Sequence, residues 1–202
     1  MQLQRRLRDF PVFSIADIQK LAPDFHNQRL SEWQNKGYII KIRQGYYCFT
    51  DVNFTEPDLF LIANTIYKPS YISLEMALSI YHLIPEAVYA ITSVSSQKTK
   101  TFQTSLANFS YRHMKPSLLF GYELREFRNH RYMIADIEKA LLDYLYFHPR
   151  CQTAADFTAL RLNIIEWKKQ ADLDKVQKYL TAFHHTALVT RTKRLMDYLN
   201  YA

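Results

Sequence analysis

Glycine is scarce: the 202 residues contain three, at positions 37, 45 and 121. Such a chain holds no glycine-rich phosphate loop, no dinucleotide fingerprint and no Gly-x-Ser-x-Gly elbow. Each of Gly37, Gly45 and Gly121 is expected to mark a backbone position that rejects a side chain. Cysteine is scarcer still. Cys48 and Cys151 stand far apart and match no ligand spacing, which argues against a disulfide scaffold; both are expected as buried thiols of a reducing compartment. No apolar run approaches the ~20 residues of a membrane span. The basic start, Met1 to Arg8, leads into no apolar core of a signal peptide, so a cytoplasmic location is expected. The histidines show no ligand spacing, and the adjacent His184 and His185 diverge on a helix. No metal and no cofactor is expected.

What remains is an ordinary globular composition, 48% hydrophobic and 22% charged, long enough for one large domain or two modest ones. Twenty-six Lys and Arg stand against nineteen Asp and Glu, a formal charge of +7. That balance favours a polyanionic partner.

A seam falls near Pro57. Thr55-Glu56-Pro57-Asp58 opens a helix in the manner of a capped start with proline in the first turn. The expected division is residues 1–54 and residues 55–202. Behind the seam, Leu59, Ile62, Ala63 and Ile66 repeat at helical spacing, and a second helix follows from a cap at Ser73. Short Tyr/Phe/Thr-rich stretches from Tyr89 to Ile134 then read as strands. From Asp136 onward the periodicity is helical, with apolar stripes Ile137-Ala140-Leu141-Tyr144-Leu145, Leu173-Val176-Leu180-Phe183 and Leu188-Leu195-Leu199. The fold class is therefore α+β, with a mostly antiparallel sheet and a helical C-terminus behind a small N-terminal unit.

That unit reads as a winged helix-turn-helix. Ser14 and Asp17 form a capping box for a helix ending at Leu21. Ala22-Pro23-Asp24 breaks the chain, and a second helix runs from Phe25 or His26 to Lys36, burying Leu30 and Trp33. Gly37 stops it. Tyr38 to Arg43 and Tyr46 to Thr50 then form a hairpin turned by Gln44-Gly45. A helix of this kind reads base edges in the major groove with side chains of its N-terminal half. Asn27, Gln28 and Ser31 occupy that face, and Asn or Gln can bond an adenine edge through two atoms. Arg29 and Lys36 are expected to reach phosphates or bases, Lys41, Arg43 and Gln44 to touch the backbone or minor groove, and Arg5, Arg6 and Arg8 to clamp further phosphates. The plainer alternative is a winged helix serving as a protein-protein module.

A second basic block spans residues 98–131, where Lys98, Lys100, Arg112, Lys115, Arg125, Arg128 and Arg131 face only Glu123 and Glu126. It reads as a basic sheet surface for nucleic acid or an acidic partner, or as a solvated sheet whose lysines guard its edges. Asp136, Glu138, Lys139 and Asp143 are the one grouping that tempts towards metal-dependent nuclease chemistry. Their helical spacing spreads the carboxylates over different faces, and Lys139 with Asp143 reads as an everyday i, i+4 ion pair. The chain is read as a non-enzyme. Thr190-Arg191-Thr192-Lys193-Arg194 reads as a solvated basic helix face or a phosphate track.

Several motifs carry a resemblance. Tyr71-Ile72-Ser73-Leu74-Glu75-Met76-Ala77-Leu78 leads to Leu83-Ile84-Pro85-Glu86; Ile91-Thr92-Ser93-Val94, Lys98-Thr99-Lys100-Thr101-Phe102, Phe109-Ser110-Tyr111-Arg112-His113 and Phe120-Gly121-Tyr122 follow. Ile134-Ala135-Asp136-Ile137-Glu138-Lys139-Ala140-Leu141-Leu142-Asp143-Tyr144-Leu145 closes the series. In this order, behind the Arg43-Gln44-Gly45-Tyr46-Tyr47 hairpin tip, the chain resembles the AbiEi-like antitoxins of type IV, abortive-infection toxin-antitoxin systems, as far as about His148. Ile137 stands where such proteins often have proline, and Lys98 and Lys100 where they often have arginine. The resemblance implies a repressor that binds inverted repeats in its own promoter, on double-stranded DNA and compatibly with oligomerisation there. It further implies an antitoxin domain, residues 55–202, that neutralises a nucleotidyltransferase-like toxin directly or indirectly, in phage defence. The alternative is a winged-helix transcription regulator whose second domain senses a ligand or partner.

Overall fold

A computed structural model describes residues 2–201. The N-terminal unit comprises helix α1 (Gln2–Leu7), strand β1 (Phe13–Ser14), helices α2 (Ile15–Leu21) and α3 (Gln28–Asn35), and strands β2 (Ile39–Arg43) and β3 (Tyr46–Phe49). Its antiparallel sheet has the order β1-β3-β2. The Asp17 backbone N–H donates to the Ser14 hydroxyl at 3.2 Å, and the Ser14 N–H donates back to the Asp17 carboxylate at 2.9 Å. Two otherwise orphan donors at the start of α2 are thereby satisfied. Helix α3 begins later than its periodicity suggests. Phe25 instead turns inward on an N–H bond to the Ala22 carbonyl and packs edge-on against Trp33, so it serves the core before the helix starts. Leu30 and Trp33 are buried as expected, alongside Leu7, Phe13, Ile18 and Phe49. Gly45 turns the β2–β3 hairpin at φ +80°, a backbone that an L side chain rarely adopts.

The second unit opens with α4 (Glu56–Ile66). Thr55 and Asp58 form its capping pair, the Thr55 N–H donating to the carboxylate at 2.9 Å, and Pro57 lies in its first turn. Then follow β4 (Ser70–Ile72), α5 (Leu74–Ile80), β5 (Ala90–Ser95), β6 (Lys100–Gln103), β7 (Asn108–His113), a 3-10 turn (Pro116–Leu118), β8 (Tyr122–Phe127), β9 (His130–Ala135) and α6 (Ile137–Phe147). The sheet order is β6-β7-β5-β4-β9-β8. It is mixed rather than mostly antiparallel: β4 runs parallel to β9 and β5 parallel to β7. Two placements cause this: the three-residue β4, too short to show a period, lies at the centre of the sheet between β5 and β9, and β7 lies between β5 and the edge strand β6.

Helix α4 covers one face of the sheet, where the Tyr111 hydroxyl donates to the Ala63 carbonyl at 2.8 Å and Phe60 meets Tyr132. Helices α5 and α6 cover the other, which carries Tyr71 and Ser73. Four more helices, α7 (Ala154–Leu160), α8 (Ile164–Gln170), α9 (Leu173–Phe183) and α10 (Thr186–Tyr201), complete the C-terminal part. Val176, Leu180 and Phe183 are buried with Leu188, Leu195 and Leu199, but Leu173 is exposed, because it sits on the first turn of α9 beside its Asp172 cap. Arg191 departs from its expected solvated role. It is buried, and its guanidinium donates to the Leu145 carbonyl at 2.6 Å, tying α10 to α6. Among the described residues no helix is long and apolar enough to cross a membrane.

Packing crosses the seam at Pro57. Ile39 and Phe49 join the N-terminal core, while Val12, Ile42 and Cys48 join the core of the second unit. The β2–β3 ribbon therefore buries apolar side chains on both faces, in keeping with its period of two.

Candidate functional site

Helix α3 turns Leu30 and Trp33 inward, and 3.6-residue geometry leaves Asn27, Gln28 and Ser31 on the opposite, exposed side. Asn27 occupies the N-cap position but makes no capping bond with its side chain, which leaves the amide uncommitted. Arg29 is exposed with its guanidinium 5.3 Å from the Phe25 ring centre and 6.0 Å from that of Trp33. Such stacking holds a planar cation in place without neutralising it. Lys36 is exposed at the C-cap. No acidic residue lies in the first turn of α3.

In the hairpin, Lys41 and Gln44 are exposed, with the Lys41 ammonium donating to the Gln44 side-chain oxygen at 3.1 Å. Arg43 is not at a free tip. The pairing slips between Lys41, opposite Tyr47, and Arg43, opposite Tyr46, so one residue is inserted. That bulge turns Ile42 and Arg43 to the same side, towards the second unit. The Arg43 guanidinium then lies 5.0, 5.9 and 5.6 Å from the rings of Tyr46, Tyr67 and Phe102. Arg8 is likewise committed, forked onto Asp51 at 2.5 and 3.0 Å and lying 5.0 Å over Phe49. It is a structural tie between α1 and the end of β3, whereas Arg5 and Arg6 are exposed on α1.

The second basic block does not form one surface. Arg125 donates to Glu123 at 2.7 Å and to the Tyr81 hydroxyl at 2.9 Å, and Arg128 pairs with buried Asp58 at 3.2 Å. Arg131 is tied to Glu126. Arg112 and Lys100 fall on opposite faces of the sheet. Lys100 registers with Tyr111 and shares the side of Phe102 and Tyr67, whereas Arg112 is next to Tyr111 on β7 and so points the other way, over Phe147. Lys115 is exposed just beyond β7. Lys98 and Lys100 stay with the hairpin side, the Tyr67 hydroxyl donating to the Lys98 carbonyl at 2.8 Å. Among the described residues, Lys36, Lys41, Arg43, Lys98 and Lys100 have no ion-pair partner. Sequence reasoning missed the route from Arg43 to Phe102. An approach between residues so far apart in the chain leaves no local pattern.

The acidic grouping on α6 is spoken for. Asp136 accepts from the Lys139 N–H as a helix cap and from the Tyr179 hydroxyl at 2.7 Å. Lys175 bridges Asp136 and Glu138 at 3.0 and 3.2 Å. Burial alone would lower the Lys175 pKa, but the two carboxylates outweigh it and raise the value. Asp143 points into the interior. Its pairing with Lys139 is wholly buried, in contrast to the surface pair that the spacing suggests.

No protein-family model matches this chain, and no curated protein matches its sequence.

Proposed function

We propose that the chain is a winged-helix DNA-binding repressor of its own promoter and the antitoxin of a type IV toxin-antitoxin system. The observation that carries the DNA reading is the α3 surface: Leu30 and Trp33 inward, Asn27, Gln28 and Ser31 outward, beside cations that no carboxylate neutralises. Polar amides at the start of an exposed helix suit base edges, and unpaired lysines suit phosphates. Lys98 and Lys100 extend the cationic track from the hairpin onto the edge strand of the second unit, through the Arg43, Tyr67 and Phe102 stack. The antitoxin role rests on the motif series between Tyr71 and Leu145, read with the winged helix in front of it.

A gel shift with the upstream promoter against a scrambled duplex tests the first half. Binding is expected to favour the promoter. The double change Asn27→Ala with Gln28→Ala is expected to cost about 1–3 kcal/mol for each base edge no longer bonded, while sparing non-specific binding. Equal affinity for both duplexes sinks the repressor reading. Rescue of growth on co-expression with the neighbouring toxin gene tests the antitoxin half separately.

A further inference from the structure

We propose that the cleft between α5, α6 and the exposed face of β5 and β7 is a binding site for a small ligand carrying a flat heterocycle and a single anionic group, of the nucleoside monophosphate type. It stands apart from the DNA surface and does not depend on the repressor reading. The cavity measures about 690 Å³, inside the range of about 300–1,000 Å³ usual for small-molecule sites. A second hollow of about 480 Å³ continues it past His148.

Four features mark the cleft as built for a ligand. Arg112 lies 5.2 Å over the Phe147 ring and, among the described residues, has no ion-pair partner, so an oriented cation faces the cavity unneutralised. Opposite it, the Glu75 carboxylate stands 3.6 Å from the His148 ring nitrogen, and that ring stacks on Tyr144 at 4.1 Å. A carboxylate beside an aromatic pair can accept N–H bonds from a heterocycle laid on those rings.

The third feature is backbone strain. Leu74, the first residue of α5, takes φ +60°. The other non-glycine residues with positive φ follow helices or sit in a hairpin turn, where that conformation is common, but a bulky residue opening a helix has no such excuse. Ser73 enforces it: its carbonyl accepts from the Thr92 hydroxyl at 2.7 Å, and its own hydroxyl donates to Asp143 at 2.8 Å. The consequence is that Glu75 is delivered into the cleft. Strain held at the wall of a cavity is characteristic of ligand sites.

The fourth feature is Tyr89, which lines the cavity yet is 88% exposed. A ring so uncovered contributes little to the folded chain and is free to close over a bound heterocycle. Among the described residues, Arg112 is the one lysine or arginine lining the cavity of about 690 Å³, and one such cation matches one phosphate. The remaining acid at the rim, Glu86, is already met by Arg161 at 3.5 Å.

Isothermal titration of the full chain with AMP, GMP, CMP and UMP, each beside its nucleoside, tests the proposal. At least one monophosphate is expected to bind, and its nucleoside about tenfold more weakly, a difference of about 1.4 kcal/mol. Arg112→Gln should remove that difference, and Glu75→Gln should change the ranking of the bases. Circular dichroism checks that both variants remain folded. Absence of heat from all four monophosphates at about 1 mM, where even a weak complex forms, overturns the proposal. Equal binding of nucleotides and nucleosides, or unchanged affinity in Arg112→Gln, overturns it too.

Discussion

Lys139 and Asp143, one turn apart on α6, form an ion pair from which solvent is completely excluded. The pair is embedded in a network. The Lys139 ammonium also donates to the Tyr71 hydroxyl at 2.8 Å, and Asp143 accepts from Tyr71 and Ser73 at 2.9 and 2.8 Å. The rings of Phe120 and Phe183 flank the ammonium at 5.0 and 4.8 Å. Burial drives the lysine pKa down and the aspartate pKa up, and each partner's charge opposes the other's shift. The network joins β4, the start of α5 and α6, and so fixes the central strand against the helix that covers it.

Replacing Lys139 by Met strands a carboxylate in the core, which is expected to cost about 3–5 kcal/mol of stability. Adding Asp143→Leu to that variant should restore part of the deficit, because two apolar side chains leave no unpaired charge. Urea denaturation of the single and double variants gives both numbers. A single variant as stable as the parent would falsify the view that this pair anchors the sheet.

Lys41 and Arg43 should behave differently although they sit two residues apart on one hairpin. Lys41 is exposed and bonded only to Gln44, so Lys41→Ala should leave the melting temperature unchanged. On the proposed function it should weaken binding to every duplex and flatten the salt dependence by about 0.9 in log–log slope. Arg43 stacks on Tyr67 and Phe102 across the seam, so Arg43→Ala should lower stability as well, by about 1 kcal/mol, because the cation–π stacking goes with the guanidinium. Thermal melts and salt titrations of the two variants separate these outcomes. Identical behaviour of both would show that the bulge does not commit Arg43 to the second unit.

Where local rules suffice, the fold was legible in the sequence. The Ser14–Asp17 box, the helix start around Pro57, the Leu30 and Trp33 burial and the stripes of α6 and α10 each follow from spacing within a few residues. What escaped is what packing across long separations decides. Strand β4 is three residues long and takes its place from β5 and β9, not from any pattern of its own. Arg112 looked like a neighbour of Lys100 in a basic block, yet the alternation of side chains along β7 sends it to the other face. Of the candidate interface, the α3 face was readable from helical geometry. The commitment of Arg8 to Asp51 and of Arg43 to Phe102 was not, since charge alone does not reveal its partner.

The Asp17 carboxyl gives the N-terminal unit a pH dependence of known sign. Partial burial pushes its pKa up, but the bonds from the Ser14 hydroxyl and N–H, aided by Lys20, outweigh this and hold it below the usual 3.8. A group whose folded pKa is depressed binds fewer protons folded than unfolded between the two values, so stability falls as pH drops through that window. The contribution is fully present above about pH 5, where even the unfolded carboxyl is almost wholly ionised, and fades below it. Asp17→Ala removes both the cap and the negative charge at the start of α2, at a cost on the order of 1 kcal/mol near neutral pH. The stability gap between parent and variant, measured by guanidinium denaturation, should therefore narrow as the pH is lowered from 6 to 3. Other titrating carboxylates affect both proteins alike and cancel in the difference. A gap that stays constant over this range would mean that Asp17 stabilises α2 in its protonated form equally well, and that its charge has no part in the cap.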